Sequence, residues 1–171
     1  MTSAWPPASP RVKSKEELAL AAAGHFAAMA DSLFAQARYR GLHDSLERLL
    51  GYVDFRMAIL QGRLPEFTCL LGTMVQETFE SHPAIREACD THISAHAAEG
   101  AKDIAEAKAC HAPNAMWSAE GLGLYTQAVI QGAFILAKAK GGPEVAGECL
   151  GHLRRYLEML FDRPEPKEEK P

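Results

Sequence analysis

His92, His96, Glu99 and Asp103 are spaced by four, three and four residues, so one helix carries all of them on a single side. Two histidines at i and i+4 can chelate a divalent metal, and a carboxylate one turn on completes a partial site. The same imidazoles can also give a bound ligand its polar contacts, or be hydrogen-bonded within the fold. At about 100° per residue, His96 falls at the border of the apolar stripe Ile85, Cys89, Ile93. The spacing leaves these three roles open, and no metal or cofactor is assigned.

A second set lies earlier in the chain. His25 stands beside Phe26 and Met29, a polar tip in apolar surroundings, which is the composition of small-molecule sites. Phe67, Met74, Phe79 and Tyr125 are candidate walls, joined by Cys89; the commoner role for such residues is an ordinary core. The four cysteines, Cys69, Cys89, Cys110 and Cys149, are far apart with no CxxC pair, against a zinc knuckle or a thioredoxin-like site. Cys69 is expected in the first turn of its helix and Cys110 adjoins His111, which keeps a redox or electrophile sensor as an alternative. Catalysis finds no motif: there is no GxSxG, HExxH, GxxxxGK, or GxGxxG after a strand, and no enzymatic activity is expected.

The elements that must position these residues read as helices throughout. Ser14-Lys15-Glu16-Glu17 is a capping box, opening a helix that carries Leu18, Ala22, Phe26, Met29 and Leu33 to about Arg40, with Gly41 as terminator. The stripe Leu42, Leu46, Leu49, Leu50, Val53, Met57, Leu60 marks a second helix, from about His43 to Gln61. A third is expected to start at Pro65 and run through Phe67, Leu70, Leu71, Met74, Val75 and Phe79. His82-Pro83 restarts the chain into a long helix to about Ala109; Ser118 opens another to Lys140; Gly141-Gly142-Pro143-Glu144 is a stop followed by a start. Six helices, short connections and no strands predict an all-α six-helix bundle over 13–161, with disordered tails at 1–12 and 162–171.

Composition narrows the function. Of 171 residues, 47% are hydrophobic and 23% charged, ordinary for a globular protein. The net charge of -4, without clustered Lys and Arg, gives no footprint for a phosphate backbone, and the Arg154-Arg155 pair is too small to supply one. Direct nucleic-acid contact is therefore not expected. The segment Met1–Pro10 has three prolines and no basic start, unlike a signal peptide. No apolar run approaches the roughly 18–20 residues of a membrane span. A cytoplasmic protein with free thiols and no membrane partner is the expectation.

The texture of the helices resembles one family. "FTCLLGTMVQETFESHPAIREAC", a glycine-interrupted apolar helix leading to the turn Ser81-His82-Pro83, looks like the middle of a TetR-type transcriptional regulator. "YTQAVIQGAFILAKAK" at Tyr125–Lys140, followed by "GGPEVAGECLGHLRRYLEMLF", resembles that family's final helix pair. "KSKEELALA" at Lys13–Ala21 resembles the connection after the DNA-recognition helix, commonly Tyr-x-His-Phe and then Ser-Lys-Glu-Glu-Leu. Here Ser9-Pro10-Arg11-Val12 precede it, so the Tyr-x-His-Phe element and the helix-turn-helix before it are missing.

The resemblance implies an effector-binding and dimerisation domain whose fourth helix lines a small-molecule pocket. It also implies that the last two helices build a four-helix bundle with a second subunit. The small residues Ala128, Gly132 and Ala133 favour close approach of a neighbouring helix. They join Leu136, Val145, Cys149, Leu153, Tyr156, Leu157 and Leu160 as candidate interface residues of a homodimer, the commonest oligomer. The alternative for that pair is closure of the chain's own core. A different function is an interaction protein that forms mixed dimers with full-length relatives.

Overall fold

Short side chains set where most helices begin. The Ser14 hydroxyl accepts from the Glu17 amide (3.0 Å), the Asp44 carboxylate from Glu47 (2.9 Å), and the Ser118 hydroxyl from Gly121 (2.9 Å). Each satisfies an amide that the first helical turn leaves without a partner. The computed structural model describes residues 14–162; the tails expected at 1–12 and 162–171 lie, Asp162 apart, outside them. It contains α1 (Lys15–Ala35), a 3-10 turn (Arg38–Gly41), α2 (Ser45–Ala58), α3 (Leu64–Phe67), α4 (Leu70–Thr78), α5 (Pro83–His111), α6 (Ala119–Lys140) and α7 (Glu144–Leu160). Among the described residues there are seven α-helices and no strand, an all-α bundle.

The seventh helix comes from splitting the expected third. Thr68 adopts an extended conformation, and its hydroxyl donates back to the Leu64 carbonyl at 2.8 Å, closing α3 after one turn. Cys69 then acts as the N-cap of α4, its Sγ accepting from the Gly72 amide at 3.4 Å, so it lies ahead of the helix and not in its first turn. The first helix also stops short, at Ala35 and not Arg40. Ala37 turns extended and, with Tyr39, is buried in a cluster with Phe34, against which Tyr52 and Phe55 pack. That burial overrides the helical pattern, and Gly41 closes the 3-10 turn without a positive φ. Gly141 does take the left-handed cap expected of it, at φ 78°.

The main core lies where α2 meets α5, α6 and α7. Leu46, Leu49, Leu50 and Val53 of α2 pack with Ile104 of α5, Ile130 and Phe134 of α6, and Leu150 and Leu157 of α7. A smaller cluster joins Ala23 of α1 to Leu71, Ile85 and Cys89. α1 packs mainly on α5 and α4, meets α2 through Phe34, and is mostly exposed. Contrary to the reading of its sequence, α1 is long and apolar enough, by length and composition, to cross a membrane. Its alanines raise the average although His25, Asp31 and Ser32 break the run.

Gly123 sets the distance between α5 and α6. A Cβ there would lie 3.0 Å from the Ala97 carbonyl oxygen and 3.2 Å from the Ala101 Cβ. Only glycine lets the backbones come so close. The contact is one residue from His96 and one helical turn from Gln127, so it brings those two side chains to a common space.

Candidate functional site

Tyr52 is the node of that space. Its hydroxyl accepts from Arg56 Nε (3.1 Å) on its own helix and from Gln127 Nε2 (3.0 Å) on α6. With both lone pairs taken, its hydrogen points to His96 Nε2 on α5, at 3.0 Å. Arg56 Nη2 also donates to that nitrogen, at 3.1 Å. Nε2 therefore carries no proton, and the neutral ring holds its hydrogen on Nδ1. Burial first, then the Arg56 and Arg40 guanidinium groups, push His96 down to about 4. Phe34 of α1 completes the cluster, with the Arg56 guanidinium 4.3 Å above its ring and the His96 ring 4.8 Å away.

Two cavities meet at this cluster, sharing Asp31, Phe34, His96 and Gln127. The first, of about 330 Å³, runs between the 3-10 turn, α2, α5 and α6. Its apolar side is Leu49, Ile104 and Tyr39; burial pushes the Tyr39 phenol up to about 12. Its polar side is an ion network in which Arg40 meets Glu99 (3.2 Å) and Asp103 (3.6 Å), and Arg48 meets Asp103 (2.7 Å) and Glu106. The second, of about 360 Å³, lies under α1 and is walled by Phe26, Met29, Leu33, Phe67, Ile93 and Phe134. Arg56, His92 and Gln131 supply polar atoms to it.

The structure gathers some of the sequence candidates and scatters others. Phe26, Met29, Phe67, His92 and His96 line the second cavity. His25 is exposed, Met74 and Cys89 pack in the small cluster of α4 and α5, and Tyr125 meets Tyr156 at a tilt (ring centroids 5.2 Å apart) on the outer face of α6 and α7. Phe79 is exposed. His92 and His96 border one cavity, but the His96 nitrogen that a metal would take is occupied by Tyr52 and Arg56. Glu99 and Asp103, the carboxylates of the same helical side, are held by arginines. Among the described residues, no group of three His, Cys, Asp or Glu side chains could hold a metal ion.

Of the helix-pair candidates, Ala133, Leu153 and Leu157 are buried in the chain's own core, so a partner cannot reach them. Ala128, Leu136 and Tyr156 are exposed, whereas Gly132, Val145, Cys149 and Leu160 are half-buried. A Cβ on Gly132 would meet nothing within 4 Å. Cys89 is fully buried, and burial raises its thiol, which removes it from reactive chemistry.

No family model, no curated protein and no solved structure matches this chain.

Sequence reading missed Tyr52, Arg56, Phe34, Gln127 and Gln131. A signal was present: Gln127 and Gln131 fall one turn apart inside the apolar stretch of α6, and a glutamine there needs a buried partner. Tyr52 and Arg56 stand in the same i, i+4 relation on the flank of the leucine stripe of α2.

Proposed function

We propose that this chain is the small-molecule-binding, dimerising regulatory module of a TetR-type transcriptional regulator. The observation that carries the proposal is the pair of cavities around the Tyr52–His96–Gln127–Arg56 cluster. Concave, largely apolar space with a few convergent polar groups is the physical description of a ligand site. Four helices, α1, α2, α5 and α6, meet at that cluster, so a ligand beside it would bias how they sit together, which an effector must do. The sequence resemblance of the middle segment and of the final helix pair supports the family. The exposed apolar residues Leu136, Tyr156 and Met159 on α6 and α7 support the dimer.

A neutral apolar dye tests the binding. N-phenyl-naphthylamine should bind saturably at one site per chain and raise the melting temperature. Ala30→Phe, which places a ring at the wall of the second cavity, should abolish that binding. No saturable binding, or equal binding by the variant, overturns the proposal.

A further inference from the structure

Resting on that reading, we infer that the second cavity takes an amphiphile with an oxyanion head, a carboxylate or phosphate, held by Arg56. Among the described residues, Arg56 is the one arginine that is partly shielded from solvent and has no carboxylate within 4.0 Å. Arg40, Arg48, Arg63 and Arg154 all have acidic partners, and Arg38, Arg86 and Arg155 are exposed.

The chemistry of its fork is specific. Nε and Nη2 form one edge of the guanidinium, and that edge is spent on the Tyr52 hydroxyl and His96 Nε2. Both partners are neutral, so they orient the cation without cancelling it. The other edge, Nη1 with the second Nη2 hydrogen, has no hydrogen-bond partner among the described residues. Two parallel N–H groups on a fixed plane match the two oxygens of a carboxylate or phosphate. Stacking on Phe34 holds that plane in place.

The remaining charges around the cavity favour an anion in this lobe and not in the other. Glu66 is taken by the backbone and side chain of Arg63, at 2.9 and 2.8 Å. Asp31 lines both lobes but is exposed and makes no ion pair. His96 accepts from Tyr52 and Arg56, is held neutral and adds no charge of its own. In the first cavity the balance is reversed, because Glu99 and Asp103 surround Arg40. Beyond Arg56 the second cavity offers rings and branched chains, Phe34, Phe67, Ile93, Leu71 and Phe134, which suit an apolar body and no second charge.

The test compares ligands of one chain length at pH 7.5: decanoate, decyl phosphate, decanol and decylamine, each displacing the neutral dye from the full chain. One or both anions should bind at least about tenfold tighter than decanol, and decylamine weaker than either. Decanoate against decyl phosphate tells which oxyanion is preferred. In Arg56→Gln the anion preference should fall to about unity while decanol and dye binding persist. Decanol binding as tightly as both anions, decylamine binding best, or an undiminished preference in Arg56→Gln would each overturn the inference. Should Arg56→Gln fail to fold, the wild-type series and Arg56→Lys, which keeps charge but loses the fork, still decide it. Dye binding without anion preference sinks this inference alone; absence of all binding sinks the cavity reading beneath it.

Discussion

The Tyr52 hydroxyl and His96 Nε2 stand 3.0 Å apart although 44 residues separate them in the chain. One phenol thereby ties α2 to α5 and, through Gln127, to α6. Removing it in Tyr52→Phe leaves the Gln127 amide and one Arg56 N–H without their acceptor. The expected loss is about 1–3 kcal/mol of unfolding free energy, the usual penalty for stranding buried donors. Urea denaturation should show a lower midpoint at unchanged slope.

His96 makes stability depend on pH in a defined direction. In the unfolded chain the ring takes up its proton near 6.5, whereas in the fold it resists down to about 4. Between those values the unfolded state binds more protons, so stability falls as pH falls from 7 toward 4, by on the order of 3 kcal/mol. Burial most of all, then the Arg56 and Arg40 guanidinium groups, oppose the charged ring; Glu99 on its own helix favours it. Thermal melts at pH 7 and pH 5 should differ more for the wild type than for His96→Gln. An identical pH response in the two proteins would remove His96 as the cause.

Gly123→Ala should destabilise despite the better helix propensity of alanine. The new methyl would press on the Ala97 carbonyl, which belongs to a packed helix and cannot swing aside. A net loss of about 1–3 kcal/mol is expected. Because the contact spaces His96 from Gln127, dye binding in the cavity should weaken together with the melting temperature.

Gly132 behaves in the opposite sense. Its Cβ position is open, so Gly132→Ala should stabilise the single chain by about 0.5–1 kcal/mol through helix propensity. If α6 and α7 form the dimer face, the same methyl holds two helices apart and weakens association. Sedimentation equilibrium of Gly132→Ala and of Leu136→Glu should show a shift toward monomer relative to a dimeric wild type. A wild type that is monomeric at all concentrations would remove the dimer.

Burial separates core from surface among similar leucines. Leu49→Ala, at a residue only 3% exposed, should cost about 2–5 kcal/mol, while Leu124→Ala, at 59% exposure, should change little. Denaturant titration of both variants measures the contrast directly.

The helical class, the α6 and α7 boundaries and the leucine stripe of α2 were legible in sequence because each has a local cause: a cap, a left-handed glycine, a 3.6-residue period. The Asp44-Ser45-Leu46-Glu47 start of α2 carries the same kind of local signal, two residues after the start expected at His43. What stayed illegible was set by distant contacts. The break at Thr68 and the early end of α1 follow from burial of Phe67, Ala37 and Tyr39 against other helices. The site was half readable. The two histidines and Phe26 could be picked out by type and spacing, but the residue that holds His96, Tyr52, is defined by partners 44 and 75 positions away. Periodicity alone does not tell the inward side of α6 and α7 from the outward one, so it places the buried Leu153 and Leu157 with the exposed Leu136.

Arg154 of α7 reaches Asp54 of α2 at 2.6 Å, across 100 positions of chain. Closing so long a loop has an entropic cost that the turn between α6 and α7 does not, so the α6–α7 hairpin can assemble before α2 docks on it. During synthesis the order runs against this preference. At roughly 5–20 residues per second, α2 emerges several seconds before the helix that covers it. Through that interval Leu46, Leu49, Leu50 and Val53, all 3% exposed or less in the finished fold, have no α7 to rest on. The stripe that makes the core is thus, for a few seconds in every round of translation, apolar surface open to the wrong partner.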